Sequence, residues 1–248
     1  MLKILTTRLT KVIKEHDILQ GRNFAALEGS SCFEPIKMVH MILEDAKIQR
    51  KQCWMLLMDI SKAYDSVSGW MLEKALNRIG ITGKLARLIM LIFKNRTNRV
   101  LVNNDTTAGF KVEDGLDQGE VWSPILWRIF FDPLLCKLKE VEYEWNYTLQ
   151  GQEIININNK VVKQEKFKIN HVAFMDDANL IASSKEQIIN LYKICNSFFK
   201  MCEIQCNPNK YELLGINCPE GDENRTILIG ENKVKINTSD KGARFLGV

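Results

Sequence analysis

The sequence has 248 residues, 46% hydrophobic and 26% charged, enough for one large domain or two small ones and too apolar for a disordered chain. Its 34 Lys and Arg against 30 Asp and Glu leave a net charge of +4, an excess too small to establish a polyanionic partner unless the basic residues cluster. Seven scattered cysteines, with only Cys202 and Cys206 close together, read as free thiols of a reducing compartment rather than a zinc site. No charged-then-apolar leader opens the chain and no apolar run reaches ~18 residues, so the expectation is a soluble intracellular protein with no membrane partner.

In chain order, Leu2, Leu5, Leu9, Val12 and Ile13 recur at helical spacing and predict an amphipathic helix over 2–15. A Gly- and Ser-bearing loop runs from Gln20 to Ser31, and residues 34–51 read as a second helix with Ile36, Val39, His40 and Leu43 on one face. Cys53 to Met58 is an unbroken apolar run that ends on Asp59, the pattern of a buried strand with a carboxylate at its tip. Helices are expected over 69–79 and 83–95, with Gly80 as breaker and Thr82 as cap, followed by a strand over Asn98 to Asn103. Pro124 to Lys139 reads as a helix with Ser123 as N-cap and Pro124 at the first helical position. Residues 145–170 alternate apolar and polar, with Gly151 and Asn158-Asn159 as turns, and suggest hairpins. A further hairpin spans 171–183, a helix follows over 185–203, and short strands fill 210–248. Interleaved helices and mostly antiparallel strands predict an α+β fold without internal repeats.

Two apolar strands between His171 and Ala182 enclose the adjacent carboxylates of Asp176 and Asp177. Two-residue hairpins favour Gly or Asn-Gly where φ is positive, and neither is present. Neighbouring carboxylates raise each other's pKa unless a cation compensates, and a divalent ion does so. Asp59, ending its own strand, supplies a carboxylate from a second element. Mg²⁺ takes one or two carboxylates with waters and substrate phosphates, and two such ions ~3.5–4 Å apart can serve an attacking and a leaving oxygen. Asp65 suits a helix cap better than a fourth ligand. Between these elements, a Gly-flanked Gln118 precedes the helix start Ser123-Pro124, which lets backbone and a helix N-terminus approach a phosphate.

Together these segments resemble reverse transcriptases of LINE-like, non-LTR retrotransposons. Asp59-x-x-x-Ala63-Tyr64-Asp65 is similar to motif A, Gly115-Leu116-x-Gln118-Gly119-x-x-x-Ser123-Pro124 to motif B, and Phe174-Met175-Asp176-Asp177 to motif C, in the family's order. The resemblance implies a right-hand polymerase with fingers and palm, the palm a mostly antiparallel, ferredoxin-like sheet packed on helices. It places partial fingers at 1–51 and a palm at 52–248 with inserted fingers elements at about 75–115. It implies RNA-directed DNA polymerisation with two Mg²⁺ or Mn²⁺ ions, an RNA template, a DNA primer and deoxynucleoside triphosphates. Asp59, Asp176 and Asp177 would be the metal ligands. Tyr64 would be the steric gate against a 2′-hydroxyl, Gln118 and Gly119 would border nucleotide and template base, and Lys210 would protonate the leaving pyrophosphate. Phe245 and Gly247 would begin the primer grip, and Gln20 and Arg22 would touch template. Lys94 to Arg99 and Lys160 to Lys168 are further candidate phosphate contacts. Departures from the family pattern are Glu28 and Ser30 in the first loop and Ala178-Asn179 after the aspartates, and the family's first fingers strand and thumb lie outside the match. The alternatives are a catalytically inactive element fragment that at most binds nucleic acid, and another two-metal palm enzyme such as a nucleotidyl cyclase.

Overall fold

The computed structural model describes residues 1–155, 161–238, 242, 243, 245 and 246. Helix α1 (Leu2–Glu15) buries Leu9 and Ile13, as its apolar spacing predicts, while Val12 faces solvent. Helix α2 (Phe33–Ile48) is turned slightly from the expected face. It buries Pro35, Val39, Ile42 and Ala46, whereas His40 is exposed with Nε2 3.3 Å from Glu44 one turn on.

Strand β1 (Cys53–Met58) is buried along its whole length. Helices α3 (Gly69–Arg78) and α4 (Gly83–Lys94) follow. Ser68 caps α3 by accepting from the Met71 amide, whereas Thr82 sits at the α4 cap without a side-chain bond. The single strand expected over 98–103 is instead divided. β2 (Arg96–Asn98) pairs with β5 (Phe110–Val112), and β3 (Leu101–Val102) pairs with β4 (Asp105–Thr106). Asn103 and Asn104 both have positive φ (47° and 67°), the backbone of a two-residue hairpin turn, and Asn tolerates it.

Helix α5 (Ser123–Glu140) begins one residue earlier than expected, with Trp122 at the cap position. Ser123 is therefore not the N-cap; its hydroxyl donates to the Asp117 carbonyl at 2.7 Å and ties the preceding loop to the helix. β6 (Tyr147–Ile155) and β7 (Val161–Ile169) form one long hairpin. Gly151 is not a turn but lies within β6, where the register slips between Gln150 and Glu153; Asn158-Asn159 fall outside the described residues. Strands β8 (His171–Phe174) and β9 (Asp177–Ala182), helix α6 (Lys185–Met201), strand β10 (Glu212–Ile216) and the hairpin β11 (Thr226–Ile229) with β12 (Asn232–Lys235) complete the chain.

The central sheet has the order β10-β1-β9-β8, and every neighbouring pair is antiparallel. With α5 between β1 and β8 and α6 between β9 and β10, this is the βαββαβ, ferredoxin-like arrangement. One face carries Trp54, Leu56 and Leu180 against Trp127, Phe130, Phe131 and Phe198 of the two helices. The other carries Met55, Leu57, Val172 and Ile181 against α2 and the Tyr147–Leu149 end of β6. Covered on both faces, β1 must be apolar at consecutive positions, which accounts for the run that ends on Asp59. Among the described residues no helix is long and apolar enough to cross a membrane.

Candidate active site

The sheet register brings the sequence-predicted carboxylates to one end. Met58 pairs with Ala178, so Asp59, one residue beyond β1, stands beside Asp177, the first residue of β9. The β8–β9 turn is Met175-Asp176, and the positive φ that such a turn requires falls on Met175, at 54°. Burial first, and then the charge of Asp59, pushes Asp176 above the usual carboxylate range. Burial raises Asp177 as well, and the charges of Asp176 and Asp59 add to it. Lys210, at the end of the 3₁₀ turn Pro208–Lys210, places Nζ 3.1 Å from Asp59 Oδ2.

A cavity of about 440 Å³ opens here, lined by Asp59, Asp177, Asn179, Lys210, Glu212 and Phe245 among others. Asp176 is outside that lining, on the side of Tyr64. The Tyr64 ring packs edge-on to buried Trp127, centroids 6.1 Å apart, and its hydroxyl pKa is raised by burial and then by the charge of Asp176. Asn179 is 2% exposed, and among the described residues its Nδ2 has no hydrogen-bond partner although the residue lines the cavity.

Among the described residues no three His, Cys, Asp or Glu side chains are drawn tightly enough to hold a metal ion by themselves. The donor chemistry nevertheless fits Mg²⁺, which needs only one or two carboxylates and draws its other oxygens from water and phosphate. Converging carboxylates with raised pKa values form a locus that a cation relieves.

The loop before α5 docks on the turn after β1. The Leu116 amide donates to the Tyr64 carbonyl and the Gly115 amide to that of Val67, each at 2.8 Å. Gly115 has φ +80°, and a Cβ there would lie 3.1 Å from the Asp65 backbone, so glycine is required for this approach. Arg96 fastens the loop: Nη1 is 2.9 Å from Asp117 Oδ2, Nη2 donates to the Gly115 carbonyl at 2.6 Å, and the guanidinium lies over the Phe93 ring. Gln118 and Gly119 are thereby presented, exposed, at the loop's crest.

Several predicted contacts have other employment. The Arg22 guanidinium is paired with Glu142 and donates to the Lys168 carbonyl, so it is not a free phosphate contact. Gln20 is exposed but folds back on Asp17. Arg96, in the basic stretch Lys94 to Arg99, is a structural cation, while Lys94 and Arg99 are exposed. Phe245 lines the cavity and packs against the second core, and Gly247 falls outside the described residues. Lys160 also falls outside them, and Lys168 lies over the Tyr143 ring at 4.9 Å. All seven cysteines are free. Sequence reasoning missed Arg96, Asn179 and Asn23. The Asn23 carboxamide bonds the backbone of Met175 from 152 positions away, a distance at which no local pattern signals a contact.

The family profile described as "Reverse transcriptase (RNA-dependent DNA polymerase)" matches residues 1–248. Relatives include the Pol polyprotein of a type-1 retrotransposable element R2 from Nasonia vitripennis, 24% identical over 217 residues, and one from Popillia japonica, 25% identical over 214. These alignments take in 88% and 84% of this chain but only 19% and 27% of those proteins. A telomerase from Candida albicans, solved with a fragment of telomeric RNA, superimposes with a TM-score of 0.57 at 12% identity over 95% of this chain and 36% of that one. Apo telomerase from Candida tropicalis gives 0.57 at 11% identity over 94% and 39%. At such identities the likeness speaks for the fold, that of polymerase fingers and palm. The chain belongs to the reverse transcriptase (RNA-dependent DNA polymerase) family, with the domains of LINE-like retrotransposable elements among its relatives.

Proposed function

We propose that this chain is the catalytic core of an RNA-directed DNA polymerase that joins a primer 3′-hydroxyl oxygen to the α-phosphorus of a deoxynucleoside triphosphate and releases pyrophosphate. The observation that carries the reading is the meeting of Asp59 and Asp177 in one cavity with Lys210, beside Asp176. Asp59, Asp176 and Asp177 would hold Mg²⁺ or Mn²⁺, which supplies Lewis acidity at the hydroxyl and neutralises charge on the departing phosphates.

The chain's own residues do the remaining work by position. The Tyr64 ring, held against Trp127, forms a wall beside Asp176 where a ribose 2′-hydroxyl would collide. Gln118 and Gly119, fixed by the Arg96 anchor, border the base pair being formed. Lys210, which neutralises Asp59, reaches the same cavity and can pass a proton to the leaving pyrophosphate. Template and primer would be gripped mainly through phosphates, so affinity falls as salt rises.

Primer extension on an RNA template with Mg²⁺ or Mn²⁺ tests this. Incorporation by the natural chain and none by Asp176→Asn/Asp177→Asn is expected. Equal signal from both would overturn the reading in favour of a fragment that only binds, and cyclic nucleotide formed from a ribonucleoside triphosphate would replace it with a cyclase.

A further inference from the structure

Met175 carries the strained backbone of the aspartate turn, with a full side chain at φ +54°. A non-glycine residue in the left-handed region persists only where its surroundings over-determine it. Here the surroundings are the hairpin pairing and one side chain. Asn23 Nδ2 donates to the Met175 carbonyl at 3.0 Å, and the Met175 amide donates to Asn23 Oδ1 at 3.2 Å. A single carboxamide thus satisfies both polar groups of the one residue whose conformation the turn has to force. Asn23 is 5% exposed, and Oδ1 also accepts from the Ala25 amide at 3.1 Å.

The segment that carries Asn23 is itself immobilised. It runs beside the outer edge of β8: the Phe24 amide donates to the Ala173 carbonyl at 2.9 Å and the Ala173 amide to that of Arg22 at 3.0 Å. The Gly21 amide donates to buried Asp132 at 2.9 Å, Arg128 donates to the Ala25 carbonyl, and Arg22 is paired with Glu142. A Cβ on Gly21 would lie 2.3 Å from that of Leu135, so the loop is seated directly on α5. The turn is therefore set from outside the hairpin, against the main helix.

The geometry points to Asn23 as a positioning residue. Its carboxamide locks Met175 in the left-handed conformation and so sets where the Asp176 and Asp177 carboxylates stand relative to Asp59. The catalytic consequence rests on the polymerase reading; the lock itself does not. Aspartate at 23 would keep the size and the acceptor but lose the donor to the Met175 carbonyl. Glycine at 175 would adopt the same φ without the lock.

The test compares Asn23→Ala, Asn23→Asp and Asn23→Ala/Met175→Gly in three measurements: amide hydrogen exchange at residue 175 without metal, Mn²⁺ binding, and primer extension. Exchange at Met175 should speed about tenfold or more in Asn23→Ala, and in both single variants Mn²⁺ binding should weaken and kcat fall by roughly 10-fold, the scale on which partners that orient ligands act. With Mn²⁺ held saturating, the nucleotide KM should stay within about twofold. In the double variant, Mn²⁺ affinity and kcat should recover by at least half the loss on a logarithmic scale. A residue that merely stabilises the fold would not be rescued by glycine at 175. Unchanged exchange in Asn23→Ala, or no recovery in the double variant, overturns the proposal. If Asn23→Ala does not fold, Asn23→Asp, which loses only the donor to the Met175 carbonyl, decides by its Mn²⁺ binding, and an affinity equal to that of the natural chain overturns the proposal. If the natural chain extends no primer, the polymerase reading fails, while exchange and Mn²⁺ binding still decide the lock.

Discussion

Asp132 is buried and Asp176 half-buried, and the protein treats the two in opposite ways. Asp132, 1% exposed, is fully matched: Arg78 pairs with one oxygen, the Gly21 amide donates to the other, and the Cys136 thiol adds a third bond. Asp117 with Arg96 and Asp45 with Lys51 and the Tyr147 hydroxyl follow the same rule. Burial raises the pKa values of Asp176 and Asp177, and the charges that raise them further are other carboxylates, Asp59 for both and Asp176 for Asp177. Lys210 brings a cation to this corner, and it sits on Asp59. Charges that hold the architecture are matched within the chain. Those at the sheet's end are left, among the described residues, with capacity for a further cation.

The contrast can be broken most sharply on its structural side. Asp132→Ala strands Arg78 and the Gly21 amide, and the chain should lose about 3–5 kcal/mol in denaturant unfolding. Asp176→Asn should instead leave stability unchanged or higher. The sign follows from the raised pKa: ionisation is less favourable in the fold than in the unfolded chain, so stability declines as pH rises through the carboxylate range. A loss of stability in Asp176→Asn comparable to that in Asp132→Ala would remove the distinction between the two sets.

On the functional side, Asp59→Asn should lower primer extension by more than the roughly 10–100-fold that follows loss of a group merely orienting a ligand. Divalent ions should also stabilise the natural chain, by about 2.7 kcal/mol at a concentration 100 times the dissociation constant. Thermal unfolding with and without Mn²⁺ measures this, and Asp176→Asn/Asp177→Asn should abolish the shift. An equal shift in that variant would place the ion elsewhere.

A smaller effect concerns a buried group on the same strand as the turn. His171 is held neutral, with burial first and the charges of Arg22 and Lys139 next pushing its pKa down to about 3. Its folded pKa lies below the unfolded 6.5, so its contribution is whole above that pH and is lost as pH falls from 6.5 toward 3. His171→Leu should flatten this limb of the stability profile, as followed by urea midpoints across pH.

Much of this was legible in the sequence where the physics is local. Asp59 could be placed because a strand covered on both faces is apolar without interruption, and the apolar run ends there. The 171–183 hairpin, α3 and α4 followed from periodicity and their breakers. The Asn103-Asn104 turn was within reach, since paired Asn tolerates positive φ, but it was absorbed into a single strand. Arg96 looked like one member of a basic surface run. That its guanidinium lies on Phe93 and bonds the Gly115 carbonyl depends on a loop 19 residues away. The burial of Asn179 beside a cavity likewise depends on strand order, which no local pattern encodes.

The Asn23–Met175 contact also bears on how the molecule is assembled. It joins positions 152 apart, and closing a loop of that length costs roughly 4 kcal/mol of chain entropy before the contact returns anything. The carboxylate corner therefore cannot reach its final shape when β8 and β9 pair; it must wait for the first loop to settle on α5. A refolding chain should gain its sheet before it gains metal affinity, with the interval measuring the arrival of a segment synthesised long before. Misplacement of that early segment would leave a protein that is folded by most spectroscopic criteria and lacks the native placement of its carboxylates.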